Sequence, residues 1–370
     1  MALVEPGYLR PQILDTPTPS EEKLIEAVCP GSGLKFHFEM PSIWGPTTGT
    51  YTGYASDSDL RFRSASGGAL SATIQYLLAE TDAEYCLHIG PGTDFPWLNE
   101  LGESRTRLEV INSAGSRYAP SAPLADIVKR LEFPEKFIFV GKPCDVAALR
   151  AYAEHDERVN DRVVAMLSFM CGGIPSETGI RKIFATMGIG EGDVTSFRYR
   201  GNGWPGQTTA TLPDQSQRTL SYEDTWGNIL SWHLQKRCKI CPDGIGLFAD
   251  VVFADAWHLS EEGAPLFDEE GGRSLVIARN QLGSEIVSGA MALEYLKAEP
   301  EPLERIEKMQ PFQAARIRLT ASRLLAMFVL GRYIPKFSGL HLLRSALAVG
   351  CAANIRSFLG AGLRVLRGRL

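Results

Sequence analysis

The sequence predicts an α/β protein with α+β elements: a mixed sheet flanked by helices and followed by a basic helical C-terminal tail. Strand patterns alternate with helix patterns over much of the chain, which is typical of the α/β class. The stretch from Val194 to about Leu220 is Gly-rich and strand-like, which favours a mixed sheet or an inserted hairpin. The composition, 22% charged and 44% hydrophobic, is that of an ordinary soluble globular protein.

Hydrophobic periodicity places the individual elements. Leu70, Ile74, Leu77 and Leu78 recur at helical spacing and predict a helix from Ala69 to Glu80. The other predicted elements are strands at 83–90, 163–170, 249–257 and 274–280, a helix at 125–133, and two strand–turn–helix units, one at 136–154 and one beginning at 163.

A length of 370 residues makes two domains the reasonable expectation. We divide the chain into four segments: an irregular N-terminal segment (1–56), an N-terminal α/β domain (57–135), a C-terminal α/β domain that carries four notable cysteines (136–312) and a basic helical tail (313–370).

Cysteine usage indicates the kind of site to expect. The start of the chain lacks the basic and apolar regions of a signal peptide, so we expect a cytoplasmic protein whose thiols stay reduced. Seven cysteines make a disulfide scaffold an unfavourable interpretation. Ligation of a metal or a cluster is therefore the leading reason for several of them.

Four of the cysteines lie in settings that suit ligation. Cys144 and Cys171 each follow a predicted strand, and ligands collect at the carboxyl ends of strands in open α/β sheets. Cys238 and Cys241 form a Cys-x-x-Cys pair. Together they supply four thiolates, enough for a cubane iron–sulfur cluster or for a structural zinc ion. Two close and two isolated ligands favour the cluster.

Neighbouring residues support that interpretation. Lys142, Arg237 and Lys239 place positive charge near the thiols, which favours thiolates. Of the remaining cysteines, Cys86 is expected in the core and Cys351 in helix packing.

Two loops rich in Ser and Gly are candidate phosphate sites. The loop Arg63–Gly68 precedes a predicted helix, so its backbone N–H groups and the hydroxyls of Ser64 and Ser66 could cradle a phosphate. The loop Ser113–Ser121 is similar and carries Arg117. Ser/Gly stretches are also ordinary helix caps, and neither loop matches a Rossmann or P-loop fingerprint.

No catalytic residue can be assigned. His233, His258, Asp243 and Asp255 are candidates only because they lie near the cysteine pair in the sequence.

The C-terminal segment has an unusual charge. From Pro311 to Leu370 there are ten Lys or Arg residues and no Asp or Glu, although the whole chain carries −5. The stretch His341–Leu370 predicts a basic amphipathic helix that is too short in its charge-free part to cross a bilayer. It fits a membrane surface, and it fits equally a helix packed on the body or on a partner subunit.

Several motifs resemble one family. "RSASGGALSATIQYLL", "GSRYAPSAPL", "VGKPCDVAALR", "LSFMCGGIPS", "FRYRGNGWPG", "RCKICPDGIGLFADVVFADAW" and "GRSLVIARN" occur in the order seen in the beta subunits of coenzyme F-420 hydrogenase/dehydrogenase. That family also includes 7-hydroxymethyl chlorophyll a reductase and the cyanobacterial-type divinyl chlorophyllide reductases. The resemblance covers about Arg61 to Gln310.

The resemblance implies an iron–sulfur flavoprotein oxidoreductase that passes electrons between a [4Fe-4S] cluster and FAD, and from there to a substrate or a deazaflavin coenzyme. By motif, it implies four cluster ligands, Cys144, Cys171, Cys238 and Cys241. It also implies a set of FAD-site residues: Ser64, Ser66, Gly67, Gly68, Gly115, Ser116, Arg117 and Lys142.

The resemblance leaves the reaction partners open. Ferredoxin or another redox protein would exchange electrons with the chain, and the substrate would be a small or a lipid-linked molecule. No nucleic-acid partner is predicted, and homo-oligomerisation and peripheral contact with the inner face of the membrane are left open. The alternative from another class is a non-catalytic, zinc-stabilised binding or assembly protein.

One departure concerns a second cluster. Longer members of the family begin with a ferredoxin-like cysteine segment, and here only Cys29-Pro30-Gly31 remains of it. We therefore expect Cys29 to be an orphaned ligand.

Overall fold

The computed structural model describes residues 1–370. Its strands are β1 (Ala2–Val4), β2 (Tyr8–Arg10), β3 (Gly33–Lys35), β4 (Gly49–Ala55), β5 (Tyr85–Pro91), β6 (Asn99–Ser104), β7 (Phe137–Gly141), β8 (Val163–Phe169), β9 (Ser196–Arg198), β10 (Thr208–Thr211), β11 (Gln217–Leu220), β12 (Val251–Asp255), β13 (Ser274–Ala278), β14 (Leu296–Pro300) and β15 (Lys336–Ser338).

The α-helices are α1 (Pro19–Val28), α2 (Ser58–Arg63), α3 (Ala69–Glu80), α4 (Arg107–Ser113), α5 (Ile127–Arg130), α6 (Pro143–Ala153), α7 (Arg158–Arg162), α8 (Glu177–Met187), α9 (Gln281–Ala292), α10 (Leu303–Met309), α11 (Pro311–Val329), α12 (Leu342–Leu347) and α13 (Gly350–Leu366).

An eight-stranded mixed sheet organises the molecule, in the order β14-β4-β13-β12-β8-β7-β5-β6. The four inner strands β12, β8, β7 and β5 are parallel, and the strands on either side of them are antiparallel. The carboxyl ends of the parallel strands therefore meet at one edge of the sheet, which is where ligands bind in open α/β folds.

Alternate residues of the inner strands bury on opposite faces of the sheet, because side chains alternate along a strand. Phe137 and Phe139 of β7 join a core with helices α5, α6, α7, α10 and α11. Ile138 and Val140 join the opposite core, which includes α3, α4 and α9. Both faces are thus covered by helices, and the predicted fold class is confirmed.

A smaller antiparallel sheet, β11-β10-β9, occupies the segment for which a hairpin or mixed sheet was predicted. It packs with α8 in a separate apolar cluster that includes Phe184, Phe197 and Tyr199. The segment between β11 and β12 contains only short helical turns, one of which, Arg237–Ile240, carries Cys238.

Most local predictions agree with the structure. The helix predicted at Ala69–Glu80 has those bounds, and the four predicted strands are present with shifts of a few residues. The helix predicted at 125–133 is wrong in length, since α5 is a single turn. Pro134 follows closely, and a proline disfavours helical geometry in the residue before it. Strands from 57–135 and from 136–312 share the large sheet, and the division between these segments stays a prediction.

The C-terminal segment is a compact helical unit. Helix α11 packs along α13, and the apolar cluster between them includes Ala326, Met327, Ala361 and Val365. Ile240, beside the Cys238–Cys241 pair, belongs to the same cluster. No helix in the chain combines the length and the apolar character that crossing a bilayer would require.

Candidate functional site

A cavity of about 730 Å³ opens at the carboxyl edge of the parallel strands. Val140 and Gly141 of β7, Phe169 of β8 and Asp255 of β12 line it. Its volume lies within the range of small-molecule and cofactor sites, roughly 300–1,000 Å³. The cavity is therefore the leading candidate for a ligand site.

The first Ser/Gly loop forms one wall of this cavity. Ser64, Ser66 and Gly68 line it, together with the first residues of α3. Gly68 is the N-cap of α3 at a φ of 75°, and Leu70 and Ser71, whose N–H groups in the first turn have no helical partner, lie at the cavity wall. The hydroxyl of Ser64 is buried and has no hydrogen-bond partner in the protein. A helix N-terminus and an unsatisfied hydroxyl both suit an anionic or polar ligand.

The rest of this loop is fastened to the sheet. The Ser66 hydroxyl donates to the Ala254 carbonyl at 3.0 Å and lies 3.2 Å from the Ser274 hydroxyl. Gly67 does not line the cavity; a Cβ there would lie 2.9 Å from the Ser274 nitrogen. Gly67 therefore lets the loop approach β13 closely. It does not face the cavity, where a ligand would bind.

The second loop forms another wall, with Gly115, Ser116 and Arg117 lining the cavity. The Arg117 guanidinium donates to Asn99 Oδ1 at 2.6 Å and to the carbonyls of Pro96 and Leu98 at 2.7 Å. These three bonds use Nε and Nη2, so Nη1 is the nitrogen that stays available to a ligand.

Lys142 is a buried residue of the cavity lining, two positions before Cys144. Its Nζ lies 2.6 Å from Asp145 Oδ2 and donates to the Ser121 hydroxyl at 2.8 Å. Burial lowers the pKa of Lys142, but the Asp145 carboxylate and the Cys144 thiol raise it by more, so the net pKa is raised. Lys142 thus stays a cation at the cavity wall.

The two isolated cysteines occupy the predicted strand–helix junctions. Cys144 lies in the first turn of α6, after β7, and Cys171 follows β8. Strands β7 and β8 are adjacent and parallel, so the two junctions are neighbours. Of the four candidate ligands, Cys171 is the one that lines the cavity.

Backbone pairing brings the cysteine pair to Cys171. An isolated bridge joins Pro175 to Leu234, and the Ser176 N–H donates to the His233 carbonyl at 2.9 Å. The Ile174 N–H lies 3.4 Å from Cys238 Sγ and donates to it. The segment after Cys171 is therefore held along the segment before Cys238.

The glycines after Cys171 make this approach feasible. A Cβ on Gly172 would lie 2.4 Å from the ring of Trp226. Gly173 has a φ of 121°, and a Cβ there would lie 3.2 Å from Cys238 Cβ. Larger residues at either position would force Trp226 or Cys238 away.

Burial and nearby cations have opposite effects on the pKa values of the thiols. Burial raises the pKa of Cys171 to about 12, with a further increase from Cys238. Burial also raises the pKa values of Cys144 and Cys241, although the Arg237 cation lowers both. The cations thus act in the predicted direction, toward thiolates, but desolvation is the larger effect and the net pKa values are raised.

The other two predicted cations, Arg237 and Lys239, have different roles. Arg237 lies among the cysteines; burial lowers its pKa, but electrostatic interaction with Cys144, Cys241 and Cys238 raises the pKa above the ordinary value. Lys239 turns away, since its Nζ donates to the Arg369 carbonyl at 3.0 Å. Lys239 thus holds the C-terminus, which the sequence did not reveal.

Arg316 is a site residue that sequence reasoning missed. From α11, it donates to the Cys171 carbonyl at 2.7 Å and to the Cys238 carbonyl at 2.9 Å. Gln313, one turn earlier, donates to the same Cys171 carbonyl at 3.1 Å. Arg316 also lines the cavity. The first turns of the predicted tail therefore belong to the site.

We expect Arg316→Met to lower the free energy of unfolding by about 2–4 kcal/mol, because the two partly buried carbonyls of Cys171 and Cys238 lose a charged donor. The matched control is Arg318→Met, also on α11, which removes a partly exposed ion pair with Glu307 of α10 and should cost less than about 1 kcal/mol. Chemical denaturation measures both. Equal losses would contradict a role for Arg316 in joining the two cysteine loops.

An aromatic wall completes the cavity, with Tyr118, Tyr222, Trp226 and Trp257 lining it. The rings of Tyr118 and Trp226 lie 4.8 Å apart. Flat aromatic surfaces of this kind suit a planar ring system.

A buried ion pair supports this wall. Arg200 makes two 2.9 Å bonds to the Asp255 carboxylate, which also accepts a 2.7 Å bond from Trp204 Nε1.

Of the histidines and aspartates that the sequence analysis considered as catalytic candidates, only one lines the cavity. Asp255 lines the cavity, whereas His233, His258 and Asp243 do not. His88 lines it instead, and its Nε2 lies 2.8 Å from the Ser104 hydroxyl. A lone histidine in a strand carries no sequence signal of such a position.

The other cysteines lie apart from the site. Cys86 is buried in the core, as predicted. Cys351 is exposed, so the expectation that it packs inside a helix interface is wrong. Cys29 is also exposed, at the end of α1. No group of three or more His, Cys, Asp or Glu side chains is arranged to hold a single metal ion.

The fold and the cavity thus define an α/β protein with a candidate ligand site at the carboxyl edge of its parallel strands. Two family models match the chain: the coenzyme F420 hydrogenase/dehydrogenase beta subunit N-terminal region at residues 50–129 and its C-terminal region at residues 134–303. The chain belongs to the coenzyme F420 hydrogenase/dehydrogenase beta subunit family, a family of redox proteins, and the resemblance seen in the motifs is confirmed.

Two relatives agree with this assignment. The beta subunit of an F420-dependent formate dehydrogenase (number 1) from Methanococcus maripaludis is 23% identical over 254 residues, covering 67% of this chain and 61% of the relative. This chain therefore spans only about six-tenths of that relative's length. A chain of the xenon-derivatised F420-reducing [NiFe] hydrogenase complex from Methanosarcina barkeri shares the fold, with a TM-score of 0.61 at 19% identity, over 80% of this chain and 98% of that one.

Proposed function

We propose that this protein is an iron–sulfur flavoprotein oxidoreductase that holds a [4Fe-4S] cluster and FAD side by side. The observation that carries the proposal is the position of Cys171. It lines the same cavity as both Ser/Gly loops, and the backbone next to it is bonded to Cys238. One cysteine thus belongs to the candidate cluster site and to the candidate flavin site.

The residues fit a cluster. Cys144, Cys171, Cys238 and Cys241 come from neighbouring loops, and backbone N–H groups donate toward the sulfurs, as from Ile174 to Cys238. Such hydrogen bonds tune the reduction potential of a cluster. Arg237 and Arg316 supply positive charge that offsets the charge of thiolate ligands. Ligation would release protons from thiols whose pKa values burial raises.

The residues also fit a flavin dinucleotide. The N-terminus of α3 and the unsatisfied Ser64 hydroxyl suit a pyrophosphate, and Lys142 adds a cation. Trp226 and Tyr118 offer aromatic surfaces near Cys171 for the ring system. A flavin converts one-electron transfer into two-electron chemistry, and this chain's residues would position it and keep water away.

The chain's own residues account for the arrangement of the site. Arg316 keeps the loops of Cys171 and Cys238 together through their carbonyls, which fixes the distance between ligands. Gly172, the residue after Cys171, lets Trp226 pack closely against this part of the chain. The buried pair of Arg200 and Asp255 holds the far wall.

Electrons would be exchanged with a partner protein. The two relatives are described as a subunit and as a member of a complex, which supports a redox partner such as ferredoxin or a companion subunit. Their names specify coenzyme F420, and a deazaflavin or another small or lipid-linked molecule would be the second substrate of this chain.

The flavin site is tested by Ser64→Ala, which removes the buried hydroxyl that has no protein partner. We expect FAD to bind about five- to tenfold more weakly, the effect of one lost hydrogen bond, while iron content stays unchanged. Ser56→Ala is the matched control, because the Ser56 hydroxyl is also buried and unsatisfied but lies outside the cavity. Fluorescence titration of the FAD-depleted protein gives the affinities. Equal FAD affinities in the two variants would contradict the site.

A further inference from the structure

An apolar stripe on α13 faces away from the protein. Ile355, Leu359, Leu363 and Leu366 are 58%, 58%, 53% and 73% exposed. At 100° per residue they lie within about 80° of the helix circumference. Large aliphatic side chains repeated at this spacing form a continuous surface rather than scattered exposures.

The stripe is separate from the face that packs on the body. Ala361 and Val365 are buried against Ala326 and Met327 of α11, on a different side of the helix. The Asn354 side chain and the Ser322 hydroxyl lie 2.6 Å apart between the same two helices. Packing of α13 on the body is thus complete without the stripe, which leaves that surface for another occupant.

Neighbouring elements carry further exposed apolar residues. Leu330, at the end of α11, lies beside α13, since a Cβ on Gly362 would be 3.8 Å from its Cδ1. Leu343 and Leu347 project from α12, one helical turn apart, and both are strongly exposed.

The charged side chains of α12 and α13 are all of one sign. Arg344, Arg356, Arg367 and Arg369 are exposed and make no ion pair. The segment from Pro311 to Leu370 contains no acidic residue, and it carries +10 while the whole chain carries −5. An apolar stripe flanked by unpaired arginines is complementary to an anionic lipid surface.

We propose that α12 and α13 form a membrane-docking surface, with the stripe inserted at the boundary between headgroups and acyl chains and the arginines on anionic headgroups. A second copy of this chain is a poorer occupant, because pairing the same surface would bring two +10 segments together. The proposal does not depend on the cluster or the flavin. It narrows the membrane contact considered from the sequence to α12 and α13. Helix α11 is excluded from that contact because its Arg316 is bonded to the cysteine loops.

The test is sedimentation of the full-length protein with vesicles. Truncation after Gln310 is unsuitable because it removes Arg316 from the site. We expect binding to vesicles of phosphatidylcholine with about 30% phosphatidylglycerol, little binding to phosphatidylcholine alone, and release by high salt. Arg356→Gln/Arg367→Gln should lower the partition coefficient about 25-fold, roughly fivefold per arginine. Leu359→Asn/Leu363→Asn should lower it by at least about tenfold.

Two control variants match these changes away from the surface. Leu108→Asn/Leu293→Asn alters two other exposed leucines, and Arg218→Gln/Lys297→Gln removes two other exposed cations. Both should bind vesicles like the unchanged protein. The proposal is overturned if the α13 variants bind anionic vesicles as well as their controls do, or if the unchanged protein does not bind these vesicles. It is also overturned if the leucine variant converts a dimer to a monomer, which would make the stripe a protein interface.

Discussion

Replacing Cys171 by serine is expected to abolish the iron–sulfur absorption of anaerobically purified protein. Cys171 is the candidate ligand that lines the cavity, and its neighbours hold the loop of Cys238. A serine hydroxyl is a poor substitute for a thiolate at an iron site. We expect iron content to fall by more than about tenfold and electron transfer to the flavin to stop. Cys238→Ser should give the same result, because all four thiolates act together.

Cys351→Ser and Cys29→Ser are the matched controls, since both cysteines are exposed and apart from the cavity. Both variants should retain iron and colour. Thermal unfolding distinguishes loss of the cluster from failure to fold, and FAD retained by Cys171→Ser would show that the cavity survives. Full iron content in Cys171→Ser would contradict the ligand assignment.

Asp255→Ala is expected to lower the free energy of unfolding by about 3–5 kcal/mol, because it leaves the buried Arg200 cation without its carboxylate. Trp204 Nε1 loses its acceptor in the same change. The double variant Arg200→Met/Asp255→Leu should recover much of the loss, since it removes both charges. Denaturant unfolding, with a tryptophan signal from the aromatic wall, measures each variant.

The exposed pair of Asp82 and Lys136 provides the comparison. Asp82→Ala should cost less than about 1 kcal/mol, because surface ion pairs contribute little. If Asp255→Ala and Asp82→Ala had equal effects, the buried pair would not be what holds the cavity wall.

The sequence could predict the parts of the site that depend on neighbouring residues. Cys144 and Cys171 were predicted at strand–helix junctions because an apolar strand pattern, a turn and a helix pattern are local signals. The helix Ala69–Glu80 has strong periodicity, and its N-terminus lies at the cavity as the loop chemistry suggested.

Contacts between distant segments could not be predicted from the sequence. Arg316 lies 145 residues from Cys171, and nothing in the pattern of α11 indicates which carbonyl its guanidinium meets. Because Lys239 is next to Cys238 in the sequence, it was expected to place positive charge near the thiols. Its ammonium group instead donates to the Arg369 carbonyl near the C-terminus. Whether burial or charge controls the thiol pKa values also depends on packing, which a local pattern does not encode.

The aromatic wall shows the same limit. Tyr118 and Trp226 come from two loops more than a hundred positions apart, and each is unremarkable in its own segment. Their proximity follows from the path of the chain after β8, where Gly172 allows Trp226 to approach.

The most direct measurement is the cofactor content of the anaerobically purified full-length protein, by iron, acid-labile sulfide, zinc and flavin analysis per chain. The account predicts about four iron and four sulfide with one FAD, and a brown-yellow protein with flavin bands. A colourless protein with about one zinc per chain and no flavin would contradict it and would favour a zinc-stabilised binding protein.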